Sequence, residues 1–128
     1  MGAGSRSARG RVLDAGALIA IERGDERARA LVQGTRRLII PAPVLAQVWR
    51  DGPRQARLAL VVGDDRTIVE VLDEHVAKSA GVLLGRTGTS DVADASVVLA
   101  ARRYAAVVVT DDAADIRRLD PQLPIAEL

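Results

Sequence analysis

The stretch Ser90–Thr110, "SDVADASVVLAARRYAAVVVT", holds two kinds of pattern in 21 residues. Its first part has helical spacing: Asp91, Asp94, Val98 and Ala101 fall on one face. Its end, "YAAVVVT", is a continuous apolar run of the kind found in a strand buried on both faces. A helix that feeds a doubly buried strand is half of a βαβ unit, so this stretch points to a parallel sheet. It also raises a question, because the helix face is apolar except at its mouth, where two carboxylates stand three residues apart.

The same alternation runs through the chain. "RVLDA" (11–15) reads as a short strand, followed by a helical "GALIAIERG". "DERARALVQG" (25–34) reads as a second helix ending at Gly34. "RRLIIP" is a strand stopped by Pro41. "PVLAQVWRDG" is a helix with Pro43 near its first turn, and "PRQARLALVVG" continues helical. "RTIVEVL" is strand-like, "DEHVAKSAGVLLGRTG" is a helix capped by Asp73, "DDAADIRRLD" is a short helix and "LPIAEL" a last strand. There are no internal repeats. The expected fold is α/β, a three-layer α/β/α sandwich with a mostly parallel central sheet. Residues 1–10 read as a flexible N-terminal arm and 11–128 as one domain.

Composition narrows the chemistry. The 128 residues include no cysteine and one histidine, His75. Thiolate zinc sites, disulfides and His-built metal sites are therefore excluded, and any metal must be oxygen-ligated. The lack of cysteine fits a reducing cytoplasm. No apolar run approaches a membrane span or a signal peptide, so no membrane partner is expected. Net charge is +1, and of the 18 basic residues only Lys78 is a lysine. Arginine grips phosphates bidentately, although a GC-rich coding sequence gives the same excess. Aromatic residues make up 2%, too few for a base-stacking platform. RNA would have to be held by arginine and backbone, and Arg11, Arg23, Arg50 and Arg86 are the candidates near predicted edge loops. Trp49 reads as a core or interface residue and His75 as an exposed first-turn residue.

In parallel α/β sheets, ligands bind beyond the carboxyl ends of the strands. Asp14 ends the first strand and Asp112 follows "AAVVVT". Asp94, with Asp91, opens the helix feeding that strand, and a right-handed crossover starts its helix at the same edge. Asp14, Asp94 and Asp112 are thus expected to meet. Each also has an ordinary reading as a helix cap or first-turn acid, strongest for Asp91. Asp115 reads as a first-turn acid or a partner for Arg118. Clustered acids without basic neighbours repel one another, and a shared Mg²⁺ or Mn²⁺ relieves this. Such a site suits phosphodiester hydrolysis. "LLGRTGTS" lacks the lysine and spacing of a phosphate-binding loop. A phosphoryl-accepting receiver domain would want a lysine after the last strand, and Lys78 lies elsewhere.

Four motifs, "VLDAGALIAIERGD", "PAPVLAQVWR", "GTSDVADASVVLAARR" and "VVVTDDAADIRRLD", together resemble the PIN-domain family, and within it the VapC-like toxins of toxin–antitoxin pairs. The resemblance runs from about Arg11 to Leu128. It implies a metal-dependent ribonuclease toxin, a homodimer, held by a cognate antitoxin protein. It assigns Asp14, Asp94 and Asp112 as catalytic metal ligands, with Asp91 and Asp115 as further metal candidates. The chain departs at Gln47, where the family usually carries a glutamate. That departure supports an alternative, a catalytically weak or inactive PIN-like module that binds RNA or an antitoxin.

Overall fold

A computed structural model describes residues 10–128; the expected N-terminal arm lies, save for Gly10, outside the described residues. The chain runs β1 (Arg11–Leu13), α1 (Ala15–Glu22), α2 (Glu26–Gln33), β2 (Leu38–Pro41), α3 (Ala42–Val48), a 3-10 turn (Gly52–Arg54), α4 (Ala56–Val62), β3 (Thr67–Glu70), α5 (Glu74–Thr87), α6 (Val92–Tyr104), β4 (Val107–Thr110), α7 (Ala113–Leu119) and β5 (Ile125–Glu127).

The five strands form one sheet in the order β3-β2-β1-β4-β5, and every pairing is parallel. Helices cover both faces, which makes the expected three-layer sandwich. The three inner strands explain their own sequences. Val12, Leu38, Ile39, Ile40 and Val108 are fully buried, because both faces of a central parallel strand are covered and neither can be polar. Each such side chain contributes roughly 1.5–3 kcal/mol by leaving water. Helix α6 lies across β1, β2 and β4, and its small residues Ala93, Ala95, Ala100 and Ala101 are buried beside Val97 and Val98. Ala105, at φ 51°, turns the chain out of α6 straight towards β4.

The order of strands decides where a site can form. From β1 the chain moves outward through β2 to β3, then crosses back through α5 and α6 to place β4 on the other side of β1. Neighbouring connections therefore leave in opposite directions at the carboxyl ends of β1 and β4. That leaves a crevice, the usual ligand position in such folds.

One expected helix is broken. "PVLAQVWRDGPRQARLALVV" does not continue from one helix into the next: α3 ends at Val48, and Trp49 is extended. The break is bridged by Gln55, which is buried. Its Oε1 accepts from the Arg50 and Asp51 N–H groups at 2.8 and 3.0 Å, and its Nε2 donates to the Val48 carbonyl at 3.0 Å. One amide thus replaces the helical bonds lost at the break. Trp49 is 38% exposed rather than a core residue, and its ring lies against Gly52.

Candidate active site

The tips of β1 and β4 are fastened together. The Asp14 N–H donates to the Val109 carbonyl at 3.2 Å, so the ladder extends to the acid itself. Asp14 is also the N-cap of α1, where its Oδ1 accepts from the Ala17 N–H at 2.9 Å. It is 8% exposed. Burial raises its pKa, the Thr110 side chain and Ala17 N–H partly offset that, and Asp111 and Asp112 raise it further. A buried carboxylate beside two others is costly to ionise.

Asp112 caps α7, accepting from the Asp115 N–H at 3.3 Å, and its own N–H donates to Thr110 Oγ1 at 2.9 Å. Asp91 caps α6, accepting from the Asp94 N–H at 2.9 Å. The capping reading of these two acids and of Asp14 therefore holds, and each cap bond occupies one carboxylate oxygen.

Asp94 differs. It is not a cap and is half-buried in the first turn of α6. Burial, then Asp91, Asp115, Asp14 and Asp112, push its pKa up to about 6. Those acids follow β1 and β4 and open α6 and α7. The pKa of Asp115 is also raised, through its side-chain contact with Asp112 and that group's charge, and Arg118 offsets this only in part. No ion pair among the described residues involves Asp14, Asp91, Asp94, Asp111, Asp112 or Asp115. The Asp115–Arg118 pairing suggested by their spacing does not form.

These residues suit a hard divalent cation by their chemistry: all are carboxylates, they share one edge, and none is ion-paired among the described residues. They are not drawn up around one point. Among the described residues no three acidic side chains stand at ligand spacing.

Two features of the edge have no separate signal in the sequence. Asp111 is one of the two acids acting on Asp14. Its carboxylate lies on the first turn of α1, where a Cβ on Gly16 would overlap it. A glycine within a helix costs about 1 kcal/mol against alanine and so calls for a reason; close approach of a carboxylate supplies one. The other is Arg118, which lines a cavity of about 280 Å³ with Asp91, Asp94 and Asp115.

The remaining candidates are scattered. Gln47, near the end of α3, is exposed, while Val44 three residues earlier is buried. The helix stops before Asp51, so Gln47 and Asp51 do not share a helical face. Arg11 begins β1, at the sheet edge opposite the acids. Its Nη1 donates to the Leu31 carbonyl and Thr35 Oγ1 at 2.6 and 3.0 Å. Arg50 donates to the Ala46 and Trp49 carbonyls. Arg23 follows α1 at the end away from Asp14. Arg86 is exposed in the last turn of α5, just before the loop that leads to Asp91. His75 is exposed and lines a cavity of about 450 Å³ between α5 and α6.

Residues 11–120 match the PIN domain family. Among curated protein sequences there is no match. Solved structures with this fold include VapBC2 from Rickettsia felis, bound to a DNA fragment from its promoter. It is 17% identical over 93% of this chain and 98% of that one, with a TM-score of 0.67. VapC20 of Mycobacterium tuberculosis, a sarcin–ricin loop cleaving toxin, is 18% identical over 77% of this chain and 86% of that one, TM-score 0.62. FitAcB from Neisseria gonorrhoeae is 17% identical over 90% and 95%, TM-score 0.59. At these identities the likeness is one of fold.

Proposed function

This chain belongs to the PIN-domain family, and from that membership we propose that it is a divalent-metal-dependent endoribonuclease, the toxin of a toxin–antitoxin pair. The observation that carries the reading is the carboxyl edge at the β1/β4 switch point, where acids from three segments stand with no cation paired to them. The toxin–antitoxin character of structures sharing the fold supports an antitoxin protein as partner. A homodimer and a cytoplasmic site of action belong to the same reading.

Asp14, Asp94 and Asp112 would hold the ion, which we take to be Mg²⁺ or Mn²⁺, with Asp91 and Asp115 nearby and Gln47 in the place of the family's glutamate. When bound, such an ion activates the phosphodiester as a Lewis acid and helps deprotonate the attacking water. The chain's own residues prepare the site. The α1 cap and the bond to Val109 fix Asp14 at the edge. Asp94 is raised to about 6, so near neutrality it holds a fraction of a proton that a bound cation would displace. Asp112 is exposed beyond β4.

Cleavage of a panel of structured RNAs, with Mg²⁺, Mn²⁺ or EDTA, tests the reading. Cleavage that needs the metal and is lost in Asp94→Asn is expected. If RNA or an antitoxin is bound but never cut, the substitution at Gln47 has left a binding module.

A further inference from the structure

The acidic edge must also accept a polyanion, and carboxylates repel one. The cavity of about 280 Å³ beside Asp94 contains one basic side chain, Arg118, on the wall that also presents Asp115. Thr89 and Ser90, in the loop that joins α5 to α6, line the same cavity. Arg118 is exposed and joins no ion pair among the described residues. Other arginines are used within the fold. Arg66 is bound to Asp64, Arg102 to Asp120, Arg103 to Glu70, and Arg11 to backbone and hydroxyl oxygens of the α2 segment. Arg117, on the same turn of α7, is equally exposed but does not line the cavity.

We propose that Arg118 is a substrate-positioning residue that grips an RNA phosphate next to the scissile one, with the Thr89 and Ser90 hydroxyls of the same cavity. This rests on the nuclease reading and adds to it the side of the acids along which the strand leaves. The chemistry is direct. A guanidinium offers paired donors to a phosphate, and the hydroxyls of Thr89 and Ser90 can donate to its remaining oxygens. The acids next to Arg118 keep its charge from attracting a phosphate into the metal position itself. An electrostatic contact one phosphate away also suits a protein with too few aromatic residues to stack bases.

Steady-state cleavage by the full chain in Mn²⁺ tests this, with Arg118→Ala, Arg118→Lys and Arg117→Ala compared over a range of salt. Arg118→Ala should raise KM about tenfold, the loss of one charge-assisted contact, and leave kcat nearly unchanged. The slope of log KM against log salt should become shallower by about 0.7, one single-strand phosphate contact. Arg118→Lys should recover part of the KM, and Arg117→Ala should match wild type. Calorimetric Mn²⁺ affinity should be unchanged or tighter in Arg118→Ala, which separates substrate grip from damage to the acids. Wild-type KM and salt slope in Arg118→Ala would overturn the assignment while leaving the nuclease reading intact. An equal effect from Arg117→Ala would reduce Arg118 to general surface charge. If wild-type protein cuts no RNA, the nuclease reading fails and takes this inference with it.

Discussion

Two aspartates in this protein titrate in opposite directions. Asp64, between α4 and β3, lies 3.0 Å from Arg66 Nε and accepts that residue's backbone N–H at 2.8 Å. Those bonds lower its pKa to about 2. Asp94 joins no ion pair among the described residues, and burial and neighbouring acids raise it to about 6. The contrast extends to their neighbourhoods. Glu70 at the tip of β3 receives Arg103 at 2.7 Å and the Tyr104 hydroxyl at 2.6 Å, and Asp120 receives Arg102 at 2.9 Å. Where an acid holds elements together, the chain supplies its partner. At the tips of β1 and β4 it supplies none, so the charge there awaits a partner from outside.

The largest effect should come from removing that charge where it is least compensated. Asp94→Asn is expected to reduce RNA cleavage by about a hundredfold or more, at or beyond the upper end of what losing a metal site's supporting groups costs. Its melting temperature in EDTA should equal or exceed that of wild type, because a repelled half-buried charge is gone. Asp64→Asn should do the reverse, lowering the melting temperature and leaving cleavage alone. Measuring both quantities for both variants breaks the comparison if the two behave alike.

Next comes the packing that seats Asp111 against α1. Gly16→Ala should fold, since the obstructed atoms belong to an exposed side chain that can swing away, but Mn²⁺ affinity measured by calorimetry should fall about tenfold. An unchanged affinity would mean that Asp111 plays no part in the acid edge.

A smaller effect should appear in the pH dependence of stability in EDTA. Because Asp94 has a folded pKa above its unfolded value of 3.8, its penalty is full above about pH 6 and disappears as the pH falls towards 3.8. Urea denaturation should therefore show metal-free protein gaining stability between about pH 7 and pH 5, with much of that gain missing in Asp94→Asn. Asp14 and Asp115, also raised, act in the same direction. Asp64 acts oppositely and lower down: its contribution is present above 3.8 and is lost as the pH falls through about 2.

Gln47→Glu should give the smallest change, a modest tightening of Mg²⁺ or Mn²⁺ binding with cleavage equal or higher. Unchanged affinity by calorimetry would place Gln47 beyond the ion's reach.

Much of this was legible from residue pattern alone. The run "AAVVVT" announces a doubly buried strand because a central parallel strand has no solvent face. Asp25, Asp73 and Asp91 announce helix starts because a short carboxylate reaches the N–H three residues on, and all three do so in the structure. The PIN-like likeness of four motifs led to the family that the sequence matches. What stayed hidden depends on contacts distant in the chain or peculiar to one side chain. Nothing near Val48 reveals that the Gln55 amide will bond the Val48 carbonyl and the Arg50 and Asp51 N–H groups. Gly16 and Asp111 are 95 positions apart, and only the pairing of β1 with β4 makes one the seat of the other.

The most direct test of an edge built to receive a cation is anomalous diffraction from crystals of the full chain soaked in Mn²⁺. One peak at the carboxyl edge of β1 and β4, with oxygens of Asp14, Asp94 and Asp112 drawn to it directly or through water, is the expected result. No peak at that edge, or manganese seated instead among the paired acids at Asp64 or Glu70, would contradict it.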